Sequence, residues 1–342
     1  MGAVNLPDTL AWLAETTSIH RFLDAQEDDA LMLQRLKSLH PQTLTPEALR
    51  LLHSAIWSRQ VRDFQTFPQK PSILLDTCGT GGSGLSSFNT STAVAFVLAS
   101  LGVPVLKFGN RAATSASGSF DFLEALGVPT PLANHAVFPL LEETGLSFLM
   151  APQVYPRLAK LAPFRKQLGH PTAFNFLGPL LNPTCPTHRL LGCSHPGLML
   201  PLGELLETPD LANVYSLLVR ASNGLDEGHP QLSTKGLYIG KKRPLMLELA
   251  PFLTPSDVIE SAPALDLSPH ANRQRFFDMI EGHDAASLAY WQVVLNAGLA
   301  WQLVHPHESL ASATAVVKDA LASGAVRRFY QHFSQVLRRW GA

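Results

Sequence analysis

Apolar positions recur at helical spacing from residue 8 to about residue 60, and this stretch reads as helices throughout. In its third segment Thr45 can cap, Pro46 suits the first helical position, and Leu49, Leu52 and Ile56 fall on one face. From Ser72 the pattern changes. Short apolar runs at 73–75, 103–106, 148–150 and 214–219, with a further strand-like run around Leu190 and Leu191, alternate with helical stretches, as in a sheet flanked by helices. Six prolines (Pro163, Pro171, Pro179, Pro183, Pro186 and Pro196) break up 163–196, which reads as a crossing between two units. Residues 288–304 are apolar on nearly every face and predict a buried helix, whereas 313–336 predicts one amphipathic closing helix. The expected fold is α/β. A small all-helical domain at 1–70, joined by part of 163–196, precedes a large domain at 71–342 with a mixed, mainly parallel sheet.

Composition narrows the class. The chain has 342 residues, 46% apolar and 15% charged, ample for a sizeable core and the reverse of a disordered composition. Lys and Arg total 26 against 27 Asp and Glu, so no net positive charge exists to grip a nucleic-acid backbone. The apolar stretch 93–106 is interrupted by Ser100, Gly102 and Pro104 and falls short of the ~20 residues a membrane span needs. The N-terminus shows no basic region followed by an apolar segment, so a cytoplasmic protein is expected. Three cysteines suit a reducing compartment. Cys185, His188, Cys193 and His195 are potential zinc ligands, but their spacing matches no standard zinc motif and reads as a buried thiol beside solvated histidines.

Candidate chemistry concentrates in three places. At 76–84 the chain reads Asp-Thr-Cys-Gly-Thr-Gly-Gly-Ser-Gly, after an apolar run and before Phe-Asn-Thr-Ser-Thr at 88–92. Glycines let backbone N–H groups approach a ligand closely, and the following helix start favours negative charge, so phosphate is the natural ligand. The spacing fits neither a P-loop nor Gly-x-Gly-x-x-Gly. Lys107 comes just after the run 103–106 and can neutralise a diphosphate, with Asn110 and Arg111 adding donors and Thr114, Ser115, Ser117 and Ser119 supplying hydroxyls. Asp226 and Glu227 follow the strand-like run 214–219. Adjacent carboxylates there can hold magnesium, a hard cation that commonly bridges carboxylates to substrate phosphates. No convincing Ser/His/Asp or Cys/His arrangement accompanies them.

Taken together, these segments resemble the anthranilate phosphoribosyltransferase family. The family pattern Gly-Thr-Gly-Gly-Asp-Gly, Phe-Asn-x-Ser-Thr, Lys-His-Gly-Asn-Arg and Gly-Ser-x-Asp-x-Leu-Glu-x-Leu-Gly is met at 79–84, 88–92, 107–111 and 118–127. Further blocks are met at 165–169, 174–183 and 224–227, with Leu295-Asn-Ala297 and Ser323-Gly-Ala325 resembling the C-terminal helices. The resemblance implies a phosphoribosyl donor in the cleft between a helical and an α/β domain, a homodimer formed through the helical domains, and magnesium as cofactor. It implies displacement of pyrophosphate from phosphoribosyl pyrophosphate by the amine of anthranilate, a step of tryptophan biosynthesis. By position, Gly79, Thr80, Gly82, Ser83, Asn89, Ser91, Thr92, Lys107 and Ser119 would hold the donor. Gly79, Phe108, Asn110, Arg165 and Gly178 would meet the acceptor, and Ser91, Asp226 and Glu227 the metal.

Several positions depart from the family pattern. Ser83 stands in place of Asp, Phe108 and Tyr155 in place of His, Pro171 in place of Arg, and Arg220-Ala221 in place of His-Gly. Most of these changes fall on the acceptor side. A paralogue using another aromatic amine and a non-catalytic binding protein therefore stand as alternatives, whereas Arg165 and the block 174–183 disfavour nucleoside phosphorolysis.

Overall fold

The structure is a computed structural model that describes residues 7–340 except 61–63, 65, 66, 68, 69, 86, 112–117, 209, 210, 212, 213, 241–243 and 254–265. Thr114, Ser115 and Ser117 lie outside the described residues. A 3-10 turn at Asp8–Ala14 leads into α1 (Thr16–Leu23), α2 (Asp29–Ser38) and α3 (Pro46–Trp57). The Thr45 hydroxyl accepts from Ala48 N at 3.2 Å, and Asp28 caps α2 in the same way at 2.9 Å.

A seven-stranded sheet follows, in the order β3-β2-β1-β4-β5-β6-β7. Its strands are β1 (Leu75–Gly79), β2 (Val105–Gly109), β3 (Leu146–Met150), β4 (His188–Gly192), β5 (Tyr215–Ala221), β6 (Thr234–Ile239) and β7 (Leu245–Leu249). The first five in that order are mutually parallel, β6 runs antiparallel to β5, and β7 runs antiparallel to β6. The mixed, mainly parallel sheet expected from the sequence is present. Strand limits differ from the expected ones, because β1 and β2 continue through Asp76 and Lys107 to Gly79 and Gly109. Polar side chains that looked like strand ends lie inside the ladder, where Asp76 accepts from Asn182 and Phe108 N while Lys107 donates to Thr77 O and Ser91.

Between the early strands run α4 (Thr90–Ser100), α5 (Ser119–Ala125) and α6 (Asn134–Thr144). After β3 come α7 (Ala151–Val154), α8 (Ala162–Leu168) and α9 (Ala173–Leu177), and α10 (Met199–Leu206) connects β4 to β5. The chain closes with α11 (Pro269–Ile280), α12 (Leu288–Val304), α13 (Leu310–Ala322) and α14 (Ala325–Arg339). The single closing helix expected at 313–336 is two helices. Gly324 at φ +73° turns the chain between them, a left-handed conformation that glycine adopts without strain. The proline-rich stretch packs on the N-terminal helices: α8 meets α2, α9 meets α3, and Ala173 N donates to Leu39 O at 2.9 Å.

The core centres on α4, which lies against β1 and beneath α12 and α14. Its apolar residues point in every direction because it is covered on every side. Phe96 is fully buried, with the rings of Phe276, Phe333, Phe148 and Tyr330 at 5.3, 5.5, 5.8 and 5.8 Å. Among the described residues no helix is long and apolar enough to cross a membrane. Phe96→Ala leaves a void that four rings share, and is expected to destabilise the protein by about 3–5 kcal/mol. Chemical denaturation checks this, and a loss below about 1 kcal/mol contradicts the packing described.

Candidate active site

Parallel strands bring their C-terminal ends to one edge, and the loops leaving those ends surround a common crevice. Here the segments after β1, β2, β3 and β5 do so, with Gly192 at the end of β4. The crevice holds a cavity of about 620 Å³ that extends to α8, α9 and the segment around Tyr155.

Three glycines of the loop after β1, Gly81, Gly82 and Gly84, have φ of +63°, +73° and +71°, so the loop's path needs residues without a Cβ. The loop also carries the acidic segment. Gly81 N donates to Asp226 Oδ2 at 2.7 Å. A Cβ on Gly79 would lie 2.4 Å from Asp226 Oδ2, and one on Gly192 would lie 1.6 Å from the Asp226 carbonyl oxygen. Two bare strand ends thus form the seat on which the acidic loop rests. α12 holds that loop from the other side: Asn296 accepts from Gly228 N and donates to Gly228 O, both at 2.8 Å, while Gln292 donates to Glu227 Oε1 at 3.2 Å.

Lys107 forms part of the floor. It is 1% exposed, and its Nζ donates to Thr77 O and, at 3.0 Å, to Ser91 Oγ. Burial pulls its ammonium below the ordinary lysine range, against the attraction of nearby groups including Asp76. Asp76 is itself fully buried, and its carboxylate accepts from Asn182 Nδ2 at 2.9 Å and Phe108 N at 3.2 Å. Burial pushes its carboxyl up, opposed by the Asn182 hydrogen bond, Lys107 and Arg189. Burial likewise raises the Cys78 thiol, so Cys78 is held as a neutral thiol.

Gly79, Thr80, Gly82, Ser83, Asn89, Ser91, Lys107, Phe108, Asn110, Ser119, Arg165, Gly178, Asp226 and Glu227 all line the cavity. Thr92 does not; it is fully buried in α4. Some lining groups are engaged within the protein. The Thr80 hydroxyl accepts from Ser194 N at 3.0 Å, Ser83 Oγ closes a turn with Leu85, and Asn89 Oδ1 accepts from Asn272 at 2.8 Å. Arg111, expected as a donor to ligand, is committed to Asp121, Glu124 and Thr130, and its hydrogen bond holds the Glu124 carboxyl down at about 2. Arg165 lies over the Phe174 ring at 5.4 Å and donates to Asn175 Oδ1 at 3.3 Å.

Asp226 and Glu227 face the cavity without an ion-pair partner among the described residues. Burial raises both carboxyls. Glu227 is pushed up to about 8, against a hydrogen bond from Thr90 and with the Asp226 charge adding to the rise. Two adjacent hard oxygen donors whose ionised forms no cation among the described residues offsets suit magnesium, which completes its shell with water and substrate phosphates. The zinc candidates do not converge: His188 stacks on Tyr215 at 5.2 Å and Cys193 Sγ turns to His195 O. No group of three or more His, Cys, Asp or Glu able to hold a metal occurs among the described residues.

Sequence reasoning missed Gly192 and Gln292, and it gave no role to Asn296 although Leu295-Asn-Ala297 was singled out. The helical pair had a visible signal, two amides four positions apart in an otherwise apolar stretch. Gly192 gave none, because its need for a bare Cα comes from a loop more than thirty residues away.

Gly192→Ala must displace the acidic loop and is expected to cost about 4 kcal/mol or more, whereas Gly178→Ala, with open space around the added methyl, stays within about 1 kcal/mol. Thermal melts of the two variants check the contrast. The Glu227 carboxyl carries a pH dependence whose sign is fixed. Its folded value of about 8 lies above the ordinary 4.5, so the unfolded chain ionises first and metal-free stability is lost as pH rises through that window. In EDTA, Glu227→Gln is therefore expected to gain melting temperature relative to wild type from pH 4.5 to pH 8. A difference that stays flat contradicts the raised carboxyl.

A family model described as "Glycosyl transferase family, a/b domain" matches residues 71–327. The anthranilate phosphoribosyltransferase of Bordetella avium (strain 197N) is 37% identical over 284 residues, covering 82% of this chain and 81% of its own. That of Synechococcus elongatus is 34% identical over 321 residues, 90% of each chain. Among solved structures, anthranilate phosphoribosyltransferase from Thermus thermophilus superposes with a TM-score of 0.79 at 29% identity, covering 98% of this chain and 97% of its own. The Saccharomyces cerevisiae enzyme in complex with PRPP and Mg has the same fold, with a TM-score of 0.81 at 22% identity over 97% of this chain and 94% of its own. With the model spanning most of the chain and relatives matched over most of their length, this chain belongs to the anthranilate phosphoribosyltransferase family.

Proposed function

We propose that the protein is a magnesium-dependent phosphoribosyltransferase that joins the amine of anthranilate to the ribosyl carbon of phosphoribosyl pyrophosphate and releases pyrophosphate. The observation that carries this reading is the convergence of the glycine loop, Lys107, the Asp226–Glu227 pair and Arg165 on one cavity. The glycine loop and the start of α4 offer N–H groups to phosphate oxygens, and Ser91, which holds Lys107 Nζ, keeps that cation fixed before substrate arrives. As the C–O bond to pyrophosphate breaks, its electron pair passes to the departing oxygen. Donors held in place around the cavity would stabilise charge that grows only in the transition state. Asp226 and Glu227, with the Ser91 hydroxyl nearby, would hold magnesium, which supplies Lewis-acid stabilisation of the leaving pyrophosphate.

At the other end of the cavity, the Arg165 guanidinium, desolvated against Phe174, suits the carboxylate of the acceptor. Gly178 leaves room for a flat ring and Asn110 offers an amide. The amine supplies the nucleophilic lone pair and sheds a proton after the C–N bond forms, so no nucleophilic side chain is needed. We assign 1–70 with part of 163–196 as a helical domain, the remainder as the donor-binding domain, a homodimer through the helical domains, and a cytoplasmic location.

Loss of anthranilate fluorescence on mixing with phosphoribosyl pyrophosphate and magnesium tests the reaction. Asp226→Ala/Glu227→Ala and Lys107→Met are each expected to lower kcat/KM by about a hundredfold or more. Full activity in either variant contradicts the assigned roles.

A further inference from the structure

The acceptor end of the cavity has a wall built from apolar and aromatic side chains, and its one side-chain polar atom, the Tyr155 hydroxyl, is spent inside the protein. Phe108 and Tyr155 are each 2% exposed and meet edge to face with ring centroids 6.4 Å apart. Phe108 contributes no polar side-chain atom, and its N–H donates to Asp76. The Tyr155 hydroxyl donates to Leu181 O at 2.9 Å, which turns its polar end away and leaves the ring as the available surface. Leu158, Leu161 and Leu181 continue the lining, while Asn110, two residues beyond Phe108, is exposed at the mouth.

We propose that Phe108 and Tyr155 set acceptor specificity, selecting an ortho-amino aromatic carboxylate whose ring edge away from the amine and carboxylate carries hydrogen or an apolar group and rejecting one that carries a hydroxyl there. The inference rests on the phosphoribosyl transfer proposed above. Arg165 fixes the carboxylate and the reacting carbon fixes the amine, so the opposite ring edge is the part left to meet the apolar wall. A methyl group there gains the transfer energy of about one CH₂, close to fourfold in binding. A hydroxyl of nearly the same size loses its water hydrogen bonds and finds no partner.

The test is kcat/KM of the wild-type protein, with phosphoribosyl pyrophosphate and magnesium, for anthranilate and for its methyl and hydroxy derivatives at each free ring position. Because methyl and hydroxyl are matched in size, their ratio isolates polarity. At the position facing the wall the methyl derivative is expected to exceed the hydroxy derivative by about ten- to a hundredfold. Phe108→His should shrink that ratio at least about fivefold, and Phe108→Leu should retain it. Each ratio is internal to one preparation, so partial loss of folded protein does not move it. Turnover of anthranilate with methyl and hydroxy derivatives used equally at every position overturns this inference alone, as does an unchanged ratio in Phe108→His. Donor binding by calorimetry without turnover of any aminobenzoate overturns the proposed transfer, and this inference with it.

Discussion

The contact on which this site depends is the seating of the acidic loop on two bare strand ends. The Asp226 carbonyl oxygen occupies the place where a Cβ of Gly192 would be, and its carboxylate crowds the corresponding position at Gly79. Only glycine permits that approach. From it follow the hydrogen bond to Gly81 N, the course of the glycine loop, and the presence of two carboxylates in the cavity that Lys107 also lines. The amide clasp of Asn296 on Gly228 secures the loop from behind, so the acidic pair is held between the sheet and α12. In a parallel sheet the strands deliver their loops to one edge. Here the glycines let those loops interlock.

Charge beneath the site is arranged with equal economy. Asp76, Lys107 and Arg189 are buried together under the strand ends, and burial alone disfavours all three ions. Attraction among them and the hydrogen bonds from Asn182 and Phe108 offset part of that cost. Arg189 retains Nε and Nη1 with no hydrogen-bond partner among the described residues, so its interaction with Asp76 acts at longer range. The outcome is a held lysine at the floor and, on the wall, an acidic pair that no cation among the described residues offsets, which suits a ligand that is itself polyanionic and metal-bound.

Much of this was legible in the chain because it is local. The Thr45 cap, the glycine loop, the Asp226–Glu227 pair and the uniformly apolar 288–304 each carry their cause within a few residues. What was not legible comes from contacts distant in sequence. Asp76 and Lys107 looked like strand ends because a charge inside a buried strand makes sense only once its partners across the sheet are known. β6 and β7 were missed although their sequences are apolar in part: Leu237-Tyr-Ile239 and Leu245-Met-Leu247 are strand-like, but Gly236 and Lys235 interrupt the first and the second is a short edge strand paired on one side. Arg111 looked available to ligand until the structure placed Asp121 and Glu124 against it, and Gly324 split a helix that reads as continuous by periodicity.

Titration calorimetry of the intact protein with phosphoribosyl pyrophosphate, with and without magnesium, tests the central claim most directly. If the seated acidic loop and Lys107 form one metal-assisted donor site, the titration gives one site per chain and removal of magnesium weakens binding at least about tenfold. Equal affinity in EDTA, or no binding in magnesium, would contradict it.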